Sequence, residues 1–140
     1  RQMCIRDRDD SAYLPHKYEE NCVVYTGTHD NDTVLGWYGD MPEADKNFLH
    51  HYLDHSTIVR TGEVNLDLIS LALESRGNTV IIPLQDYLGL GSRARINTPS
   101  TVGDNWEWRV TKEQLNSELR KTILTLHDRY RSEETIGGNS

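Results

Sequence analysis

The 140-residue chain carries a net charge of −7 and an isoelectric point of 5.3. It has no basic stripe of the kind that tracks nucleic acid, and no apolar run near the roughly 18 residues of a membrane span. Hydrophobic residues make up 36% and mean hydropathy is −0.68, so the chain is polar for its size and short of a self-sufficient core.

Residues 1–8 show no period, cap, turn signal or secretory leader. Residues 9–20 read as a loop around Asp9-Asp10-Ser11 and Pro15. The β-branched and aromatic run at 22–27 predicts a buried strand. Polar residues follow it at once, Thr28-His29-Asp30-Asn31-Asp32-Thr33. A helix is predicted over 42–55, with Asp40 as N-cap, Pro42 in the first turn and Phe48, Leu49, Tyr52 and Leu53 on one face. A second is predicted over 66–76, capped by Asn65, striped by Ile69, Ala72 and Leu73 and stopped by Gly77.

Residues 79–84 form a second apolar run, ended by Pro83, which lacks a donor. Gln85 and Asp86 then repeat the pattern of polar groups behind a strand. Residues 92–105 read as loop, and 106–110 alternate like a short extended segment. Thr111 and Gln114 form a capping box before a final helix striped by Leu115, Leu119, Ile123, Leu126 and Tyr130. Residues 131–140 read as a polar tail. Cys4 and Cys22 form no C-x-x-C pair and no disulfide framework, so a reducing cytoplasm is expected.

Two parallel strands joined through helices make an α/β crossover. Both runs look buried on two faces and need neighbours on either side. The expected fold is therefore a piece of a larger α/β barrel.

Such barrels place chemistry at the carboxyl ends of strands. There a carboxylate such as Asp30 can stabilise positive charge developing on a sugar ring, and His29 can hydrogen-bond a ring hydroxyl. Strand-end Asn and Asp residues also simply make turns. Asn31 and Asp32 are expected to cap the next segment or hold the orientation of Asp30. His51 and His55 are four apart on a helix, as in some zinc sites, but no H-E-x-x-H pattern accompanies them and His50, and a solvated face is expected. Arg93 and Arg95 could pair with carboxylates such as Asp86, which could equally tie neighbouring loops. Trp37, Trp106 and Trp108 could stack on sugars or pack. Gly89-Leu90-Gly91 lacks the rest of a nucleotide-binding fingerprint.

Several runs together resemble the 4-α-glucanotransferase family, the amylomaltases. They are Tyr13-Leu14-Pro15-His16, then Val24 to Thr33 with Gly36-Trp37, then Ile82-Pro83-Leu84-Gln85-Asp86 and Leu88-Gly89-Leu90-Gly91. Ala94-Arg95, Asn97-Thr98-Pro99 and Asn105-Trp106-Glu107-Trp108-Arg109 complete the pattern. The likeness covers residues 9–130. It implies the C-terminal portion of a TIM (β/α)8 barrel with its last two strands and their helices.

The family transfers α-1,4-glucan segments with retention, using three carboxylates. The resemblance puts the transition-state stabiliser on Asp30, with His29 beside it, and implies substrate-binding roles for Asn31, Asp32, Asp86 and Asn97. No segment here resembles the family's nucleophile or general acid, so this chain alone is expected to be inactive. Implied partners are α-1,4-glucans and maltooligosaccharides, with no metal, organic cofactor, nucleic acid or membrane, in a parent that is a monomer or weak oligomer. Two departures stand out. Ser100 occupies a position where the family commonly has Gly, and residues 1–8 do not resemble the hydrophobic strand expected there and read as a non-family head. Two rival readings remain: a metal-dependent hydrolase with His29, Asp30 and Asp32 as ligands, and a non-catalytic carbohydrate-binding module.

Overall fold

The computed structural model describes residues 20–132. The head at 1–8, the motif at 13–16 and the tail from 133 onward lie outside the described residues.

Strand β1 (Val23–Tyr25) runs parallel to β2 (Thr79–Ile81). Between them come helices α1 (Val34–Gly39), α2 (Glu43–Asp54) and α3 (Val64–Glu74). After β2 come the short α4 (Leu84–Tyr87), a 3-10 turn (Ser92–Ala94) and the long α5 (Ser117–Arg131). Val23 pairs with Thr79 and Tyr25 with Ile81, so both strands leave the sheet at the same end. That shared exit brings the two polar segments together.

The core is organised around α3, which is apolar on almost every side, as expected of a helix packed all round. Leu68 and Leu71 face α1 and α2, clustering with Val34, Leu49, Leu53 and Ile58. Ile69 and Leu73 pack on Leu126 of α5. Ala72 meets Val24 of β1. Burying each large aliphatic side chain stabilises by roughly 1.5–3 kcal/mol, and α3 supplies four of these residues. Gly77 permits the close return to β1, since a Cβ there would lie 2.5 Å from Val24 Cγ2.

Several elements differ from the sequence-based expectation. Helix α1 was not predicted; Thr33, the last residue of the polar run, caps it by accepting from the Gly36 amide at 3.1 Å. Asp40 therefore closes α1 and does not start α2, whose N-cap is Pro42, with Glu43 and Asp45 complementing the helix dipole. Asn65 is not a cap; it lies inside α3 and is buried. Thr111 and Gln114 do exchange bonds, at 2.9 and 3.3 Å, but they close an isolated turn. Helix α5 starts later, capped by Asn116, which accepts from the Leu119 amide at 2.9 Å. Leu115 consequently falls off the helix and is exposed.

Arg131, read as part of the tail, ends α5. Its guanidinium donates to the carbonyls of Leu73 (2.6 Å) and Ser75 (3.1 Å) at the C-terminus of α3, where a cation and donor suit the orphan carbonyls. Both strands are shorter than expected and not buried on two faces. Val24 is buried, but Ile81 is 48% exposed, because a two-stranded sheet leaves its edges and one face uncovered. Residues 106–110 form no strand, and Trp106 sits at φ +64°.

Candidate functional site

The carboxyl ends of β1 and β2 open on a cleft of about 570 Å³. Residues 27–33 form one wall, Pro83, Gln85 and Asp86 another, and residues 94–96 close it.

His29 and Asp30 lie on the turn leaving β1. Their side chains are 55% and 49% exposed, and His29 Nε2 lies 3.3 Å from Asp30 Oδ2. The turn is built locally by Asn31, whose Oδ1 accepts from the Thr28 amide (2.7 Å) and hydroxyl (2.8 Å). This is an Asx turn, and it occupies the oxygen of Asn31 with backbone shape.

The orientation of Asp30 comes from far along the chain. Asn97 Nδ2 donates to Asp30 Oδ1 at 2.7 Å, and the Asn97 amide donates to the His29 carbonyl at 3.1 Å. Arg95 Nη2 donates to the Asp30 carbonyl at 2.7 Å, and its Nε to the Asn97 carbonyl at 2.9 Å. Among the described residues, Arg95 thus binds two carbonyls and no carboxylate. The Trp106 ring stacks on His29 at 5.2 Å between centroids, tilted by 32°. Trp37 instead packs on the α1–α2–α3 core, and Trp108 is half-buried.

Asp32 does not hold Asp30. Its Oδ1 accepts from the Thr33 amide and its Oδ2 from the Ser92 hydroxyl, both at 2.7 Å. It ties the start of α1 to the 3-10 turn, and both oxygens are occupied. A metal set of His29, Asp30 and Asp32 would need those same oxygens.

For Asp86 the structure shows the loop-tying contacts. It is 2% exposed, and its two oxygens accept from the Val34 amide (2.9 Å) and the Thr26 hydroxyl (2.8 Å). Burial pushes its carboxyl above the usual aspartate range; the two hydrogen bonds pull it back, and the charge of Asp32 lifts it further. This is the buried tie between the two strand-end segments, each oxygen holding one of them. Asn65 Nδ2 reinforces it by donating to the Asp86 carbonyl at 2.9 Å, and Gln85 Nε2 donates to the Ala94 carbonyl at 3.2 Å. Sequence reasoning missed Thr26 and Asn65; a polar residue inside an apolar helix was the available signal for Asn65.

His51 in α2 and His55 just past its end are exposed, as expected of a solvated face, whereas His50 is half-buried. Arg60 Nη2 lies 3.2 Å from His50 Nδ1. Arginine only donates, so this nitrogen accepts and Nε2–H donates to Tyr38 Oη at 2.7 Å. Arg60 also donates to the fully buried Asp67 at 2.7 Å. His55 Nδ1 donates to the His51 carbonyl at 2.8 Å, and the two rings lie 4.1 Å apart. Among the described residues, no three His, Cys, Asp or Glu side chains gather as a metal set. No helix among them is long and apolar enough to cross a membrane.

Parallel strands crossing over through helices, with polar groups gathered at their carboxyl ends, define a segment of an α/β fold. The comparisons are narrower. The family model described as 4-alpha-glucanotransferase matches residues 2–116, and the chain belongs to that family.

It is 44% identical over 134 residues to the chloroplastic/amyloplastic 4-alpha-glucanotransferase of Oryza sativa subsp. japonica, covering 91% of this chain and 22% of that protein. It is 43% identical over 128 residues to the 4-alpha-glucanotransferase of Clostridium butyricum, covering 89% and 25%. Among solved structures, it is similar to an amylomaltase from Streptococcus agalactiae in complex with acarbose. That match has a TM-score of 0.77 and 29% identity, over 86% of this chain and 24% of the other. The chain therefore spans about a quarter of the length of these relatives.

Proposed function

We propose that the chain supplies one quarter of a retaining 4-α-glucanotransferase: the last two strands of its barrel with their helices, within residues 9–130. Its substrates would be α-1,4-glucans and maltooligosaccharides. Asp30 faces the anomeric centre, and its negative charge stabilises the oxocarbenium-like transition state. His29 hydrogen-bonds a hydroxyl of the same ring. The nucleophile, which forms the glucosyl-enzyme bond, and the acid, which protonates the leaving oxygen, come from other segments of the whole protein. A second glucan hydroxyl then takes the sugar in place of water. The sugar chemistry runs on carboxylates and requires no cofactor. A compartment that keeps cysteines reduced suits the chain, and we assign it to a cytoplasm.

The observation that carries this reading is the half-exposed Asp30 carboxylate, fixed beside His29 at the cleft by a bond from Asn97. A chimera of the Clostridium butyricum relative, with this chain replacing the matching segment, tests it. The chimera converts maltotriose to glucose and longer maltodextrins, whereas the 140-residue chain alone does not. Asp30→Asn lowers kcat by about a hundredfold or more while KM changes little, because the charge matters only in the transition state. A cooperatively folded chimera without transfer, or Asp30→Asn with normal kcat and raised KM, refutes the reading.

A further inference from the structure

We infer that Asn97 is a positioning residue, acting through Asp30 to fix the carboxylate and leave its charge intact. The inference rests on the transfer reading above. Asp30 sits on an exposed turn whose local bonds, Thr28 to Asn31, hold backbone and do not touch its carboxylate. Its Oδ1 receives a hydrogen bond from one group, Asn97 Nδ2, at 2.7 Å. Its Oδ2 faces His29. One oxygen held and the other turned to an imidazole defines the plane of the carboxylate.

The chemistry of the donor matters. A guanidinium on Oδ1 would pair with the negative charge and weaken its action on a developing cation. Arg95 comes within reach of Asp30, yet its donors go to the carbonyls of Asp30 and Asn97. The cation fastens the two loops, and among the described residues the carboxylate meets a neutral amide on Oδ1 and the imidazole of His29 at Oδ2. Hydrogen bonding to a neutral donor thus fixes Asp30 without pairing it to a cation on Oδ1.

The loop carrying Asn97 is built to hold that aim. The Trp106 amide donates to the Ile96 carbonyl at 2.7 Å, and the Thr98 amide to Asn105 Oδ1 at 2.8 Å. Ser100, Asp104 and Trp106 all adopt the left-handed region, at φ 62°, 56° and 64°. Non-glycine residues persist there only where the surroundings over-determine them, and such residues cluster at functional sites. Trp106 returns from this loop to stack on His29. The loop therefore meets both residues of the pair.

Two measurements test the inference. In the chimera, Asn97→Ala lowers kcat by about tenfold to a hundredfold, the scale of a misplaced catalytic group, with KM within about threefold of the parent. Asn97→Asp keeps the size but removes the donor and adds a like charge, so the acid limb of the pH–rate profile moves to higher pH. In the unaltered 140-residue chain, the Asn97 side-chain amide signals in ¹⁵N NMR titrate together with the Asp30 carboxyl carbon. That response disappears in Asp30→Ala. A raised KM with kcat kept would make Asn97 a sugar ligand and overturn the inference. So would unchanged kinetics, an unmoved acid limb, or amide signals indifferent to Asp30. If the parent chimera folds but does not transfer, the functional reading fails, and the amide titration decides the Asn97–Asp30 contact by itself.

Discussion

Replacing Asp86 by alanine tests the claim that a buried carboxylate ties the two strand-end segments together. The substitution removes both acceptors at once. The Val34 amide is buried at the first residue of α1, and leaving such a donor unpaired costs about 1–3 kcal/mol. Loss of the charge-assisted bond from Thr26 adds about 1.5–3 kcal/mol. Removing a desolvated charge returns part of this. The expected net cost is about 3 kcal/mol, a large share of the 5–15 kcal/mol that complete domains possess.

Asp86→Asn is the discriminating partner. Its oxygen can still accept from Val34, and the Thr26 hydroxyl can turn to accept from the new amide, so the cost is under about 1.5 kcal/mol. The pH dependence has a definite sign. Burial raises the Asp86 carboxyl above its ordinary value, so the folded state holds this proton more tightly than the unfolded state. Stability from this group is full below the ordinary aspartate value and declines as pH rises through the raised, folded value. Asp86→Asn removes that slope. Urea unfolding monitored by tryptophan fluorescence, with Trp37 lying in α1 against the core, reads all three effects. Asp86→Ala within about 0.5 kcal/mol of the parent, or Asp86→Asn as damaging as alanine, would refute the tie.

Two further substitutions probe the same scaffold. Gly36→Ala would place a Cβ 2.4 Å from Ser92 Oγ and 2.5 Å from Asp32 Oδ1; the expected loss is about 1–3 kcal/mol, seen in thermal unfolding and partly restored by adding Ser92→Gly. Ser100 at φ 62° pays for a left-handed backbone that glycine adopts freely, so Ser100→Gly should raise stability by up to about 1 kcal/mol, and a lowered melting temperature would contradict that.

The parts of the fold legible in the sequence were those with a strong local period. Helix α3 announces itself through Leu68, Ile69, Leu71, Ala72 and Leu73, and tertiary packing confirms what the pattern requires. Helix α1 was hidden because its cap, Thr33, ends a polar run and its six residues include Gly36 and Gly39; the run reads as loop until the cap bond is seen. The capping box at Thr111 and Gln114 was read correctly as chemistry and wrongly as a boundary. The reciprocal bonds form, but Asn116 offers a second cap one turn later, and the helix starts there.

At the site, His29 and Asp30 were legible because apolar strand followed at once by polar residues is a local pattern. The bonds that organise them were not. Asp86 reaches Thr26 and Val34 across 60 and 52 residues, and Asn97 reaches Asp30 across 67. Each depends on the register that sets Tyr25 beside Ile81. A slip of one residue would turn every side chain on one strand to the opposite face and carry Asp86 away from Thr26. The polar residues behind the strands therefore divide into two sorts by geometry. Asp32 and Asp86 have both oxygens spent on backbone and hydroxyl donors, which fixes one segment against the other. Asp30 has one oxygen held by a neutral amide and stays half-exposed beside an imidazole. Asp32 also lines the cleft, but its two oxygens hold segments together; Asp30 combines a fixed direction with an oxygen turned to an imidazole at the cleft, and that combination suits a charge acting on a transition state.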